Sequence, residues 1–335
     1  MRTVRMVVFG DTHLGFDLPG RARIERRRRG DDFAANFRRV LEYARDTADV
    51  VVHLGDFFHR SRVPAFVVED AFGQLANLAG AGIPVVIVPG NHDRSRLPAS
   101  LWLGHPNIHV FTAPGTFTVS VRELRVGFAG FPFAWGDLRS GFAGLLGQCA
   151  ASARPADVSF LCMHHTVAGA RVGPNGYTFR SGRDVLPTGH LPKAYHAVLS
   201  GHIHRHQLLE GDHPTVFYPG STERTSFAER EETKGFLDLS ASVGDHGEAS
   251  LAHSFVPLPA RPMVDVALPA TLAAAEAAGF LSNAAAGMPP DAVVRVSVPS
   301  EREDLVGGLS AEMLRTVFPT TMNVQLAGGF QRRGR

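Results

Sequence analysis

Five short apolar runs, most of them rich in valine, each break at the carboxyl end into residues that bind metals or move protons. They are Val4–Phe9 before Gly10-Asp11-Thr12-His13, Val50–Leu54 before Gly55-Asp56, and Val85–Val88 before Pro89-Gly90-Asn91-His92-Asp93. Farther along stand Val158–Met163 before His164-His165, and Ala197–Ser200 before Gly201-His202-Ile203-His204. Such runs, bounded by glycine, proline or a polar cluster, read as buried strands. The segments between the first three are helical. Phe33, Phe37, Val40, Leu41 and Ala44 form one face of a helix over Asp31–Ala48, and Val63–Ala79 follows with Pro64 in its first turn. Strand–helix–strand–helix–strand predicts a parallel sheet covered on both faces, and ligands of such sheets gather at the carboxyl ends of the strands.

Past Phe111 the texture changes. Short strand candidates follow at Thr116–Val121, Arg125–Phe131, Gln207–Leu209, Val216–Tyr218, Gly235–Leu239 and Leu251–Val256, interrupted by one helix over Asp137–Ala153. They predict a second sheet packed on the first, an α/β fold with four layers, α/β/β/α. Pro257, Pro259 and Pro262 mark a linker, so the chain divides into residues 1–258 and a small α/β cap at 259–335. The cap has strands at Val264–Leu268, Val293–Val298 and Asn323–Leu326, and helices at Leu272–Ala286 and Ala311–Val317. A hydrophobic content of 44% with 20% charged residues is that of a globular chain. No apolar run approaches the roughly 20 residues of a membrane span, and the short basic-then-apolar start has no cleavage site after it. Cys149 and Cys162 are too few for a disulfide framework and read as core positions. A cytoplasmic protein is the expectation.

The five strand ends carry a common chemistry. Asp11 and His13 are two residues apart on an extended loop and can share a cation; Asp56 has two oxygens with which to bridge a pair. Asn91 offers an amide oxygen, and His92 is placed to touch substrate. His202 and His204 alternate on one face. His206 continues that alternation as a neighbour, not a ligand. Of His164 and His165, one is a ligand, and His164 is preferred because it follows its strand directly. Mixed nitrogen and oxygen donors suit Mn, Fe or Zn over Ca. Two cations about 3.5–4 Å apart clamp both oxygens of an in-line displacement and bring the pKa of water toward ~7.

This ordered set resembles the calcineurin-like metallophosphoesterases over roughly Val4–Val256. The resemblance implies one metal held by Asp11, His13, Asp56 and His204 and a second by Asp56, Asn91, His164 and His202, most often manganese. The flanking residues are similar to the SbcD-type DNA-repair nucleases. They include His13-Leu14-Gly15, Asp56-Phe57-Phe58-His59, His92-Asp93-Arg94, His204-Arg205, Tyr218-Pro219-Gly220-Ser221, Glu223-Arg224, Ser226-Phe227 and Lys234-Gly235-Phe236. That similarity implies that His92 contacts the scissile phosphate or protonates the leaving oxygen, that His59 assists, and that the cap presents DNA.

The net charge of +2 does not mark a nucleic-acid binder, but its distribution is uneven. Arg21, Arg23, Arg26, Arg27, Arg28 and Arg29 face a single acid, Glu25, directly after the first motif, where guanidiniums can track a phosphodiester backbone. The leading expectation is a metal-dependent DNA nuclease. Its alternatives are a small-molecule phosphodiesterase or phosphatase on the same scaffold, and a catalytically silent DNA-binding subunit. Val63–Ala79 and Leu97–Leu103, with Trp102, are where the resemblance implies a homodimer contact. Longer family members continue into a segment that binds an SbcC-type ABC ATPase; the sequence here stops soon after the cap, which counts against that partner.

Overall fold

The computed structural model describes residues 1–16, 28–93 and 105–327. The chain divides into two compact units, one formed by residues 1–16 and 32–259, the other by residues 17–31 and 260–335.

The first unit is built on two six-stranded sheets. In the first, β1 (Arg2–Phe9), β2 (Val50–His53), β3 (Val85–Ile87) and β4 (Ile108–Val110) run parallel in that order. The second sheet contains β5 (Gly115–Val121), β6 (Leu124–Gly130) and β7 (Val158–Met163). Two small ladders follow β7: β8 (Thr166–Val167) pairs with β11 (Val185–Leu186), and β9 (Arg171–Val172) with β10 (Tyr177–Thr178). The second sheet is completed by β12 (Ala197–Ser200), β13 (Gln207–Gly211) and β14 (His213–Tyr218), in the order β13-β14-β12-β7-β6-β5. Its central strands β6, β7, β12 and β14 are parallel, with antiparallel strands at both edges.

Alternation along the strands makes the layers. Val4, Met6 and Val8 of β1, with Val50, Val52 and Val86, pack against Leu124, Val126, Phe128, Val158, Phe160, Cys162 and Leu199 in the seam between the sheets. Val7, Phe9, Val51, Val85 and Ile87 point the other way. They meet Phe33, Phe37, Val40 and Leu41 of α1 (Arg29–Thr47) and Phe72, Leu75 and Leu78 of α2 (Ala65–Gly80). Leu161, Met163, Val198 and Val216 cover the outer face of the second sheet together with Leu138, Phe142 and Cys149 of α3 (Leu138–Ala151). Helices, sheet, sheet and helix therefore stack as the sequence predicts, and both cysteines are buried.

The structure departs from the sequence reading at several places. The runs near Gly235–Leu239 and Leu251–Val256 are longer, β15 (Gly235–Val243) and β16 (Ala249–Pro257), and they join the first sheet antiparallel to β1. Leu237, Leu239, Ala241 and Val243 alternate into the same seam as β1, and Asp238 accepts hydrogen bonds from Arg5 (2.8 Å from Nε) and Tyr43 (2.6 Å). The hairpin thus returns to the start of the chain, and the first sheet is mixed. Pro64 precedes α2 in an extended conformation (φ −56°, ψ 142°) and is not part of its first turn. Phe66 on α2 is 63% exposed, while Leu97–Leu103 lie outside the described residues.

The second unit has a parallel sheet of β17 (Met263–Ala267), β18 (Val293–Ser297) and β19 (Asn323–Ala327). Val266, Val294 and Val296 bury against Leu281 of α4 (Ala277–Ala286), Leu305 of α5 (Glu303–Gly308), and Phe318, just beyond α6 (Ala311–Val317). The predicted helix over Leu272–Ala286 begins as a separate 3-10 turn, Ala274–Glu276. Among the described residues no helix is long and apolar enough to cross a membrane.

The seam carries the first unit's stability. Phe160, stacked on Phe128 at 5.8 Å, is fully buried there. Phe160→Ala should lower stability in urea denaturation by about 3–5 kcal/mol, whereas Phe66→Ala should change it by no more than about 0.5 kcal/mol.

Candidate metal centre

The five chemistry-bearing segments converge at the carboxyl ends of parallel strands from both sheets. Asp11 and His13 follow β1, Asp56 follows β2, Asn91 and His92 follow β3, His164 follows β7, and His202 and His204 follow β12. Backbone pairing carries the loops past the strand ends: Asp11 N donates to Gly55 O (2.8 Å), His13 N to Asp56 O (3.0 Å) and Leu14 N to Phe57 O (2.9 Å). Buried Thr12 adds a hydrogen bond from Oγ1 to Phe57 O (3.0 Å) and lies 3.0 Å from Nε2 of His53, whose Nδ1 accepts from Gly55 N. Asp93 ties the second loop to the third. Its carboxylate accepts from Phe57 N (3.1 Å), Phe58 N (3.0 Å) and Gly90 N (2.9 Å), while burial and the Asp56 charge push its pKa up to about 6.

These loops are held in conformations that side chains resist. Asp11 (φ 50°), His13 (φ 44°), Asp56 (φ 51°) and His202 (φ 79°) are all left-handed. Such residues cost on the order of 1–3 kcal/mol each and persist where surroundings over-determine them. Close approach imposes a second demand. A Cβ on Gly90 would sit 2.3 Å from both the backbone nitrogen and Oδ1 of Asp56, and one on Gly55 would sit 2.4 Å from Nδ1 of His164.

The ligand atoms face one another. Oδ2 of Asp56 is 3.9 Å from Nε2 of His13 and 3.4 Å from Nε2 of His164, a position between the two. Asp11, His13 and His204 form one group whose ligand atoms lie within 4.8 Å of each other, and Asp11, Asp56 and His164 form another. Asn91 Oδ1 is 3.2 Å from Nε2 of His164 and 3.1 Å from Nδ1 of His202. Three features fit a pair of divalent cations. First, Nε2 of His13 and Nε2 of His204 approach to 3.1 Å, a contact that an ion between them would satisfy from both sides. Second, Asp11 and Asp56 are buried carboxylates; burial raises the pKa of Asp11, whereas His164 and His13 overcome burial and hold Asp56 below the usual carboxylate range. Third, burial opposes charge on His164, but Asp56 and Asp11 prevail and raise its pKa to about 9, so that a positive charge is favoured between them. Burial lowers His13 and takes His202 to about 3, which leaves neutral imidazoles with lone pairs available to a metal.

Of the two adjacent histidines, His164 faces the cluster and donates from Nδ1 to Leu54 O (2.6 Å), which leaves Nε2 for coordination. His165 turns away. Its Nε2 accepts from Ala134 N (3.0 Å), and its ring stacks on Phe133 at 4.5 Å. His206 also points elsewhere, stacked on Phe255 at 4.2 Å.

His92 sits at the rim with its side chain 38% exposed. Nδ1 donates to His59 O (2.6 Å), so Nε2 is the atom that faces Asp56, 3.9 Å away. His59 packs against Phe16 (4.7 Å) and lies 5.8 Å from the His92 ring. Burial, then the positive potential of His92 and Arg60, lowers its pKa to about 4. Arg21, Arg23, Arg26 and Arg27 lie outside the described residues; Arg28 immediately precedes α1, and Arg29 opens it at 6% exposure. The supporting roles of Asp93 and of Glu229, which lies 3.1 Å from Nδ1 of His204, are absent from the sequence reading. Asp93 at least stands inside a motif, three residues after Gly90.

Gly90→Ala should displace Asp56 and abolish metal-dependent activity in a protein that still folds by circular dichroism. Gly141→Ala on α3, where a Cβ meets nothing within 4 Å, should leave activity unchanged.

The calcineurin-like phosphoesterase family model matches residues 4–206. DNA double-strand break repair protein Mre11 of Archaeoglobus fulgidus is 28% identical over 243 residues, covering 68% of this chain and 52% of that protein. The Haloferax volcanii protein of the same name is 29% identical over 232 residues, 68% of this chain and 47% of its own. The uncharacterized metallophosphoesterase YhaO of Bacillus subtilis is 27% identical over 221 residues, 63% of this chain and 50% of its own. The chain spans about half the length of the curated relatives it matches. With the family model covering more than half of the sequence, the chain belongs to the calcineurin-like phosphoesterases.

Proposed function

We propose that this chain is a DNA nuclease of SbcD type that hydrolyses phosphodiester bonds with two divalent ions, manganese first among them. Asp11, His13, Asp56 and His204 would hold one ion, and Asp56, Asn91, His164 and His202 the other. Bound there, the ions supply Lewis-acid polarisation of a phosphoryl group and a nucleophilic oxygen at neutral pH.

The observation that carries the reading is His92. Its Nδ1–H is committed to the His59 carbonyl, its backbone N–H donates to Asp56 Oδ1 (2.8 Å), and Nε2 faces the cluster from an open rim. A ring fixed in that way can, as the imidazolium, deliver a proton from Nε2 to a departing alkoxide. The leaving group of a phosphodiester needs that proton. His59 supports the arrangement through its carbonyl and by bracing the rim against Phe16. The similarity to proteins named for DNA double-strand break repair supports DNA as the substrate class, as does the arginine run from Arg21 to Arg28, which the buried Arg29 does not join. The second unit is assigned the task of presenting DNA. Homodimer formation belongs to the same reading.

The test uses manganese-loaded protein with end-labelled single-stranded, double-stranded and hairpin DNA beside a chromogenic phosphodiester. Wild type should cleave DNA, and chelation should abolish the cleavage. His92→Ala should lower turnover by roughly 10²–10⁴-fold with bound metal unchanged. Cleavage of the chromogenic diester or of cyclic nucleotides, with every DNA form left intact, would replace the nuclease reading by a small-molecule one.

A further inference from the structure

Behind His204 lies a buried group of charges, Lys234, Glu229, Glu232 and Arg205, that supplies no metal ligand itself. Lys234 is fully buried, and its ammonium meets three acceptors: Glu229 Oε2 (2.8 Å), Glu232 Oε2 (2.9 Å) and the carbonyl oxygen of His204 (2.8 Å). Three donors are thereby satisfied, the condition under which an ammonium can be buried. Glu232 is held in turn by Arg205, whose Nε donates to Oε1 at 2.9 Å. Glu229 is fixed on its other oxygen as well. Oε1 accepts from Thr225 Oγ1 (2.6 Å) and Ser226 Oγ (3.3 Å) and lies 3.1 Å from Nδ1 of His204.

One cation therefore grips the His204 backbone directly and its ring through a carboxylate. Nδ1–H faces Glu229 Oε1 and, at the same 3.1 Å, the Thr225 Oγ1 that itself donates to Glu229, so Nε2 presents its lone pair toward His13 Nε2 (3.1 Å) and Asp11 Oδ1 (3.6 Å). Two other imidazoles have weaker backing: His164 uses a neutral carbonyl, and the buried Nδ1 of His13 has no hydrogen-bond partner among the described residues. A carboxylate behind a metal-binding imidazole fixes its tautomer and strengthens it as a donor.

We propose that Glu229, locked by Lys234, is the positioning residue of His204 and makes the two metal positions unequal, with the ion held by Asp11, His13, Asp56 and His204 the one that depends on it. This rests on the two-metal reading above.

The experiment is a titration of chelator-stripped full chain with Mn(II), followed by bound manganese per chain and by electron paramagnetic resonance. Wild type should bind two ions and give a spin-coupled spectrum. Glu229→Ala should weaken one ion by about 10- to 100-fold and leave the other unchanged, giving the uncoupled spectrum of mononuclear Mn(II) where wild type is coupled. Glu229→Gln, which keeps an oxygen for Nδ1, should recover part of the loss, and Glu231→Gln on the exposed neighbouring acid should match wild type. Glu229→Ala with both ions at wild-type affinity would overturn the proposal, as would equal weakening of both. Should Glu229→Ala fail to fold, Glu229→Gln carries the test alone: folded, it should weaken the same ion selectively, and two ions at wild-type affinity in it would overturn the proposal. Absence of bound manganese in wild type would overturn the metal reading itself, a different outcome from failure of the Glu229 variants alone.

Discussion

Two buried carboxylates, Asp11 and Asp56, pointed at the same small volume are what the rest of the site must accommodate. Among the described residues neither has a cation of fixed charge beside it; the groups that face them are His164, His13, His204 and His92, which carry charge only when protonated. Burying such a pair without compensation is prohibitive, so the geometry makes sense as a place built for positive charge. His164 shows the demand directly: its pKa rises to about 9 despite complete burial because the carboxylates stabilise its charged form.

Holding that arrangement costs the backbone, and the scaffold absorbs the cost. Left-handed residues at Asp11, His13, Asp56 and His202 lie in loops already stitched together by the Asp11–Gly55 and His13–Asp56 backbone hydrogen bonds and by the Asp93 carboxylate. The glycines at 55 and 90 permit those loops to touch. The double-sheet layout then matters for function, because parallel strands from two sheets end side by side: the first delivers the oxygen donors and His13, the second the other three imidazoles. A single sheet would have to bring all of these ligands from neighbouring strand ends.

Much of this was legible in the sequence because the ligands sit at strand ends and strand ends are marked by composition. The valine runs at 4–9, 50–54 and 85–88 stop at glycine or proline, and the candidate ligands follow at once. The preference for His164 over His165 came from adjacency to the strand alone; in the structure the His164 ring meets the Leu54 carbonyl beside the cluster and the His165 ring the Ala134 amide. Less was legible where pairing is set by distant partners. Nothing local announces that β15 and β16 return to β1, since the hairpin's alternation suits either sheet. Glu229 was invisible for a similar reason: it stands 25 residues after His204 in a segment without ligand character, and only folding brings it to Nδ1. Strand β4 is three residues long, as β3 is, but it reads Ile-His-Val and buries only Ile108, so no continuous apolar run marks it.

The central claim is that this cluster holds two ions through one set of ligands. Anomalous diffraction from crystals grown with manganese measures it most directly. The account predicts two peaks about 3.5–4 Å apart, bridged by Asp56, with His204 Nε2 and His13 on one ion and Asn91, His164 and His202 on the other. A single peak, peaks outside the cluster, or coordination by His165 in place of His164 would contradict it.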